Sequence, residues 1–349
     1  MYDTRDARSF PIDAARRSAE LRTIAVIPAF RASTTLRRVV ERALEVVDEV
    51  IVVDDACPER CSDVLTGAFP SRVRVIRREQ NGGVGAATKS GIAEALARGA
   101  DVIVKVDADD QMDTSYIPAM VACLRAQPEI ELVKGNRFAD PSTLHRMPIV
   151  RLLGNAGLTL LVKFSSGYWT IVDPTNGFIA VRARSLRETN MAALADRYFF
   201  EIDLLCSFGL HRRTIAEMRT PAIYAGERTS LSIGHALVTF PGRLLKRFLR
   251  RIIVNYLIVE INVGTLCAVI GLPLLLAATI FGGHEWLVAI QTGQPRPTGT
   301  IVLALLLFTI GVQLSLQALV FDVQFGTRTI KVRREAVTAA EEANHRSQR

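Results

Sequence analysis

The sequence predicts an α/β protein built on a mostly parallel sheet with helices on both faces, followed by two membrane-spanning helices. Three observations carry this. Short runs of β-branched residues alternate with helical segments from Thr23 to about Ser232, and that rhythm produces a parallel sheet covered on both sides. Acidic or glycine-rich turns close several of the runs, where such sheets bind ligands beyond the carboxyl ends of their strands. Two stretches, Ile261–Gly283 and Thr298–Phe321, contain no charged residue, and each supplies about the 20 residues that cross a bilayer as a helix.

Taken in order, residues 1–22 alternate acids (Asp3, Asp6, Asp13, Glu20) with arginines and have no apolar stretch. That excludes a signal peptide and predicts a flexible tail. Thr23–Ile27 reads as a buried strand ended by Pro28, and Thr34–Val47 as a helix with Ser33 as its cap. Val50–Val53 is a second strand closed by Asp54-Asp55. Val73–Ile76 is a third, followed by Asn81-Gly82-Gly83-Val84-Gly85 and a helix through Arg98. Val102–Val106 is a fourth, closed by Asp107. The α/β domain is expected to span 23–232, an amphipathic juxtamembrane helix 233–251, two spans with a short external loop 252–323, and a polar cytosolic tail 324–349.

Lysine and arginine total 43 against 35 acids, a formal charge of +8. The basic residues flank the apolar pair instead of forming a nucleic-acid surface: Arg243, Lys246, Arg247, Arg250 and Arg251 before it, Arg328, Lys331, Arg333 and Arg334 after it. The connecting loop carries little beyond Glu285 and Arg296. By the positive-inside rule both outer ends are cytoplasmic. No nucleic-acid partner is expected; the membrane is. Phe240–Arg251 has the make-up of a helix lying among the headgroups and favouring anionic lipid, or of a plain juxtamembrane anchor. The five cysteines have no paired spacing, which predicts reduced thiols without zinc or a disulfide framework.

Several motifs sit at the strand ends. Asp107-Ala108-Asp109-Asp110-Gln111 offers oxygen ligands on a tight loop, suited to Mg²⁺ or Mn²⁺ shared with phosphate, or else forms a solvated acidic turn with Asp113 as a helix cap. Asp54-Asp55 could hold a ribose hydroxyl or a base edge, or cap the helix near Pro58. Gly83-x4-Thr88-Lys89-Ser90 falls short of a P-loop because Thr88 stands where a glycine is required, which makes an NTPase a poor fit. Its glycines are expected to turn the chain and bring a helix N-terminus near an anionic ligand. Arg137, in Gly135-Asn136-Arg137-Phe138, and Arg151, before Gly154-Asn155-Ala156-Gly157, are of the type that grips phosphate through a bidentate fork. No Ser-His-Asp order or histidine ligand spacing is present.

Together these residues resemble the family 2 glycosyltransferases of GT-A fold, and within them the dolichyl- and polyprenyl-phosphate sugar synthases. The matching elements run in the family's order: Pro28-Ala29-Phe30, Asp54-Asp55, Asn81-x-Gly83-x-Gly85, Asp107-Ala108-Asp109-x-Gln111, Gly135-x-Arg137-Phe138, Arg151-x6-Leu158 and Asp173-x-Thr175-x-Gly177-Phe178. The resemblance implies a membrane-anchored, inverting enzyme that moves a sugar from a UDP- or GDP-linked donor to a polyprenyl phosphate, at the inner face of the cell membrane. It assigns Pro28, Phe30, Asp54 and Asp55 to the nucleoside, and Asp107, Asp109 and Gln111 to Mg²⁺ or Mn²⁺ on the donor diphosphate, with Ala108 in the same donor-binding loop. Arg137 is assigned to phosphate and Arg151 to the phosphate of the acceptor lipid. Three departures stand out: Ala32 replaces a glutamate, Ala56-Cys57 replace Gly-Ser, and Tyr224–Ser230 lacks the family's arginine and lysine, for which Arg228 is the substitute. Transfer to a glycan hydroxyl is the enzymatic alternative and would need a base, with Asp173 and Glu201 the first candidates; a silent membrane scaffold is the other. Oligomeric state is left open, a homo-oligomer included.

Overall fold

The computed structural model describes residues 21–69, 71–139, 149–221, 233–335 and 337–338. Eight strands form one sheet: β1 Thr23–Ala29, β2 Glu49–Asp54, β3 Val73–Arg77, β4 Val102–Lys105, β5 Ile130–Asn136, β6 Ile179–Arg182, β7 Thr214–Arg219 and β8 Thr329–Val332, in the order β3-β2-β1-β4-β6-β5-β7-β8. Only β6 runs antiparallel to its neighbours. This reversal matters for function. The carboxyl ends of β1, β2, β4 and β5 share one edge, and the residues just before β6 are delivered to that same edge.

Side chains alternate between two cores, as the period of a strand requires. Ala25, Ile27, Val50, Val52 and Val104 pack on one face under α1 (Leu36–Leu44) and α3 (Ile117–Ala126). Ile24, Val26, Ile51, Val53 and Ile103 pack on the other under α2 (Val84–Ala97) and, further along the chain, Phe200–Leu210. Strand β1 continues through Pro28, which pairs with Val53 on β2. Pairing with β4 has already ended at Val26, so the missing proline N–H costs no ladder bond there. The start of α1 also differs from expectation. Thr35, not Ser33, is its N-cap, and the Thr35 hydroxyl donates to the Ala108 carbonyl at 2.6 Å instead of capping the helix.

Helix α4 (Ile149–Ser166) and α5 (Phe200–Leu210) receive α6 (Ile233–Ile252), whose Phe240 and Leu244 are buried against Val162, Phe199 and Ile202. The amphipathic helix therefore docks much of its apolar face on the α/β domain and keeps Leu245 and Leu249 exposed. Two of its cations also turn inward, Arg247 to Asp203 and Arg251 to Asp322.

Helices α7 (Val263–Thr292) and α8 (Thr298–Phe325) form an antiparallel hairpin. Only 22% and 6% of their most apolar windows are buried, where the core helix of a soluble protein would be mostly covered. Glycines bring their backbones together: a Cβ at Gly271 would lie 2.7 Å from Leu314 Cβ, and one at Gly311 would lie 2.7 Å from the Leu275 backbone. Such small-residue contacts are how helices associate in lipid. At the domain end, Asp322 of α8 accepts a fork from Arg251 (2.7 and 2.9 Å), the indole N–H of Trp169 (2.9 Å) and the hydroxyl of Tyr256.

The segment after α8 is not simply a polar tail. Residues Thr329–Val332 return to the sheet as β8, parallel to β7. The alternation Ile330, Lys331, Val332 gives this strand an apolar face, and Val332 is buried in the core under α1 and α3.

Candidate active site

At the common strand edge the structure opens a cleft lined by Asp107, Asp109, Gln111, Arg137 and residues of the Asn176–Phe178 turn. The members come from three places: the loop after β4, the end of β5, and the loop before β6. Four residues that the sequence singled out for metal and phosphate are thus brought together.

Asp107 is set by a buried lysine. Lys105, the last residue of β4, donates to Asp107 Oδ1 at 2.5 Å and pairs with Glu201 Oε1 at 3.0 Å. Burial alone would lower the pKa of this ammonium, but the Asp107 and Glu201 carboxylates outweigh it and raise the pKa above the ordinary lysine value. The other Asp107 oxygen faces Gly177, where a Cβ would lie 2.8 Å from Asp107 Oδ2 and 2.5 Å from Lys105 Nζ. Only glycine leaves that space. Asp109 Oδ1 accepts the Gln111 N–H at 3.2 Å, which closes the loop on itself, and Asp113 caps the following turn through Ser115 N–H.

This donor set fits a hard divalent ion. Asp107, Asp109 and Gln111 offer oxygen ligands on the cleft, while among the described residues no group of three His, Cys, Asp or Glu side chains that could hold a metal ion is found. Mg²⁺ and Mn²⁺ suit that arrangement because they keep waters and share phosphate oxygens.

Across the cleft, Arg137 forks onto Asp173: Nε to Oδ2 at 2.8 Å, the terminal nitrogen to Oδ1 at 3.0 Å, and the backbone N–H to Oδ2 at 3.0 Å. Asp173 is 0% exposed. Its own loop is held by Glu217 of β7, whose Oε1 accepts the N–H groups of Val172 and Asp173, both at 2.9 Å. Glu217 in turn pairs with Lys331 of β8, its register partner. Lys134, fully buried on β5, donates to the Asn176 carbonyl, and desolvation pulls its pKa down to about 8 despite the nearby Asp173 and Glu201. Lys105, Lys134 and Glu217 were missed in the sequence. Their signal is a charge inside an otherwise apolar strand, which is rarely left without a partner.

The nucleoside assignments fare unevenly. Pro28, Phe30, Asp54 and Asp55 stand at the ends of β1 and β2, outside the cleft lining. Phe30 is exposed beside Arg31. Asp54 is 0% exposed and accepts Cys57 N–H at 2.8 Å and the Ser62 hydroxyl at 2.7 Å. Its carboxylate is taken up by the Cys57–Ser62 segment rather than left reachable for a nucleoside. Asp55 corrects the reading of the glycine turn as well: its oxygens accept the N–H groups of Gly82 (3.1 Å) and Gly83 (2.7 Å) and pair with Arg78 at 2.6 Å. The anion at this turn is the protein's own carboxylate, and Gly83 reaches it with φ of +94°. Ala108 is buried, with its carbonyl on Thr35. Arg151 lies in the first turn of α4; Arg228 lies outside the described residues.

Comparison with known proteins bears on this architecture directly. The model of Glycosyl transferase family 2 matches residues 24–189, which contain every wall of the cleft except Thr220 and Pro221. The polyprenol monophosphomannose synthase of Mycolicibacterium smegmatis is 30% identical over 189 residues, covering 52% of this chain and 70% of that protein. The chain belongs to glycosyltransferase family 2. Similar too are the UDP-N-acetylglucosamine--dolichyl-phosphate N-acetylglucosaminyltransferase of Methanococcus voltae, 27% identical over 57% of this chain and 84% of that protein, and the undecaprenyl-phosphate mannosyltransferase of Micrococcus luteus, 29% identical over 53% and 76%. The family 2 relatives thus include sugar transferases named for dolichyl and polyprenyl phosphates, as the motifs implied, and the sheet is the GT-A type of that family.

Proposed function

We propose that this family 2 glycosyltransferase transfers a sugar from a UDP- or GDP-linked donor to a polyprenyl phosphate, with inversion, at the cytoplasmic face of a membrane that its C-terminal hairpin spans. The observation that carries the choice of acceptor is the state of the two base candidates. Asp173 is sealed under Arg137, and Glu201 is paired with buried Lys105. A hydroxyl acceptor needs a carboxylate able to take its proton, and both are committed to cations. A phosphate monoester has its second pKa near 6, so at pH 7 it is already largely a nucleophilic dianion and needs no base.

On this reading a phosphate oxygen of the lipid attacks the anomeric carbon while the bond to the donor's β-phosphate oxygen breaks, and nucleoside diphosphate leaves. A Mg²⁺ or Mn²⁺ ion on Asp107, Asp109 and Gln111 would supply Lewis-acid stabilisation of that leaving group. Arg137, oriented by Asp173, and Arg151 gather the two polyanions. The exposed Leu245 and Leu249 of α6, beside Lys246 and Arg250, support a seat for the domain against the headgroups.

The experiment is incubation of the purified protein with radiolabelled UDP- and GDP-sugars, Mn²⁺ and either undecaprenyl phosphate or a glycan acceptor. Label in the organic phase with the lipid phosphate supports the reading; label only on glycan overturns it. For orientation, a cysteine introduced at Gln294 should react with an impermeant reagent applied from outside intact cells. Reaction only after permeabilisation would reverse the topology.

A further inference from the structure

We propose that Asp110 is a positioning residue for the Asp107–Gln111 loop, held by Arg38 and Arg42 of α1, and not itself a ligand of the metal. The inference rests on the reading of that loop as the metal and diphosphate site. In the sequence Asp110 looks like a third carboxylate of one acidic cluster. The structure separates it from the other two. Asp107, Asp109 and Gln111 line the cleft and Asp110 does not. Its carboxylate points to α1, where Oδ2 accepts Arg38 Nε at 2.6 Å and Oδ1 accepts an Arg42 terminal nitrogen at 2.9 Å.

Arg38 and Arg42 are four residues apart on α1, so both reach down the same face of the helix. Each carboxylate oxygen thus has its own cation. A third tie comes from the N-cap of the same helix, the Thr35 hydroxyl on the Ala108 carbonyl at 2.6 Å.

The loop needs to be held because its backbone is strained. Asp110 has φ of +59°, a left-handed conformation that disfavours residues with a Cβ, although Asp and Asn bear it better than most. Such strain persists only where surrounding contacts over-determine it. The strained residue lies between Asp109 and Gln111, so its conformation sets where their side chains point. The α1 clamp thereby fixes two ligand side chains from outside the site.

The test turns on sign. Arg38→Gln/Arg42→Gln removes two positive charges close to a cation site; by electrostatics alone this should tighten Mn²⁺ binding. Loss of positioning should weaken it. In full-length protein in detergent, with UDP and GDP as probes, we expect the Mn²⁺ concentration for half-maximal nucleotide binding to rise about tenfold, the scale of one lost hydrogen bond to a charged group. Transfer at saturating Mn²⁺ should return toward wild type, and the unfolding midpoint without ligand should stay in place. Arg38→Lys/Arg42→Lys should recover much of the affinity. Asp110→Asn would not serve as the substitute, because removing an anion weakens cation binding by electrostatics alone; Arg38→Gln and Arg42→Gln made singly serve if the pair does not fold, each with a smaller rise in the Mn²⁺ midpoint. An unchanged or lower Mn²⁺ midpoint in these variants overturns the proposal alone. A wild-type protein that binds neither nucleotide in a Mn²⁺-dependent way overturns the reading of the loop, and the proposal with it.

Discussion

The two walls of the cleft are built in different ways. The Asp107–Gln111 wall is held mostly by residues that precede it in the chain: Thr35, Arg38 and Arg42 at α1, 68 to 73 residues earlier, and Lys105 from the strand that leads into it. The Arg137 wall depends on residues far along the sequence. Arg137 leans on Asp173, the Asp173 loop on Glu217, and Glu217 on Lys331, which the chain supplies only after passing through the hairpin of α7 and α8. The first wall is tied mainly to residues that come before it in the chain. The second is completed by β8, a strand that the chain supplies only after the apolar hairpin.

The largest effect should come from breaking the first wall at its centre. Asp109→Ala is expected to lower transfer by about 10²- to 10³-fold, the usual scale for removing a group that stabilises transition-state charge. Mn²⁺-dependent nucleotide binding should fall with it. Wild-type activity in this variant without added metal would remove the metal from the reading altogether.

A smaller effect should separate donor from acceptor. On the proposed reading, in which Arg151 grips the acceptor phosphate, Arg151→Ala removes hydrogen bonds to a charged group worth roughly 1.5–3 kcal/mol each, about 10- to 150-fold in rate. The loss should appear in transfer to undecaprenyl phosphate, while calorimetric binding of the sugar nucleotide with Mn²⁺ stays near wild type. Arg151→Lys should recover only part, because a point charge does not replace the planar fork. Equal losses on both sides would assign Arg151 to the donor or to the fold.

The same division explains how far the sequence could be read. The first four strands, the acidic loop and the two long apolar helices were legible because each is announced locally, by an apolar run and the turn that closes it. Asp113 as a cap was legible for the same reason. What escaped were partners brought in by topology. Nothing beside Asp54 indicates that Cys57 and Ser62 will absorb its carboxylate, and the glycines after Asn81 do not reveal that Asp55, on another strand, is their anion. Strand β8 was read as tail because four residues flanked by arginines carry little periodic signal on their own; its place depends on β7 offering a free edge. Lys105 and Glu201 meet only because β4 and α5 converge. A charge within an apolar strand is the one clue that would have flagged such pairs.

The smallest expected effect is the sharpest test of the contrast between the walls. Lys331 is about half exposed, whereas its partner Glu217 is 0% exposed and holds the Asp173 loop with its other oxygen. A half-exposed ion pair is worth at most about 1 kcal/mol, and Lys134 and Lys163 lie near enough to Glu217 to offset part of its charge. Lys331→Met should therefore slow transfer by no more than about fivefold, the equivalent of 1 kcal/mol. Lys331→Arg, which keeps the cation, should stay near wild type, and Lys331→Glu, facing a buried carboxylate, should lose more than the methionine variant. In all three the Mn²⁺ midpoint for nucleotide binding should not move, because the ties of the Asp107–Gln111 wall described above run to α1, Lys105 and Glu201 and not to β8. Initial rates and Mn²⁺ titrations on the same preparations decide it. A midpoint that shifts in step with the rate would mean that the two walls respond as one, and the division between the Asp107–Gln111 wall and a β8-dependent Arg137 wall would fail.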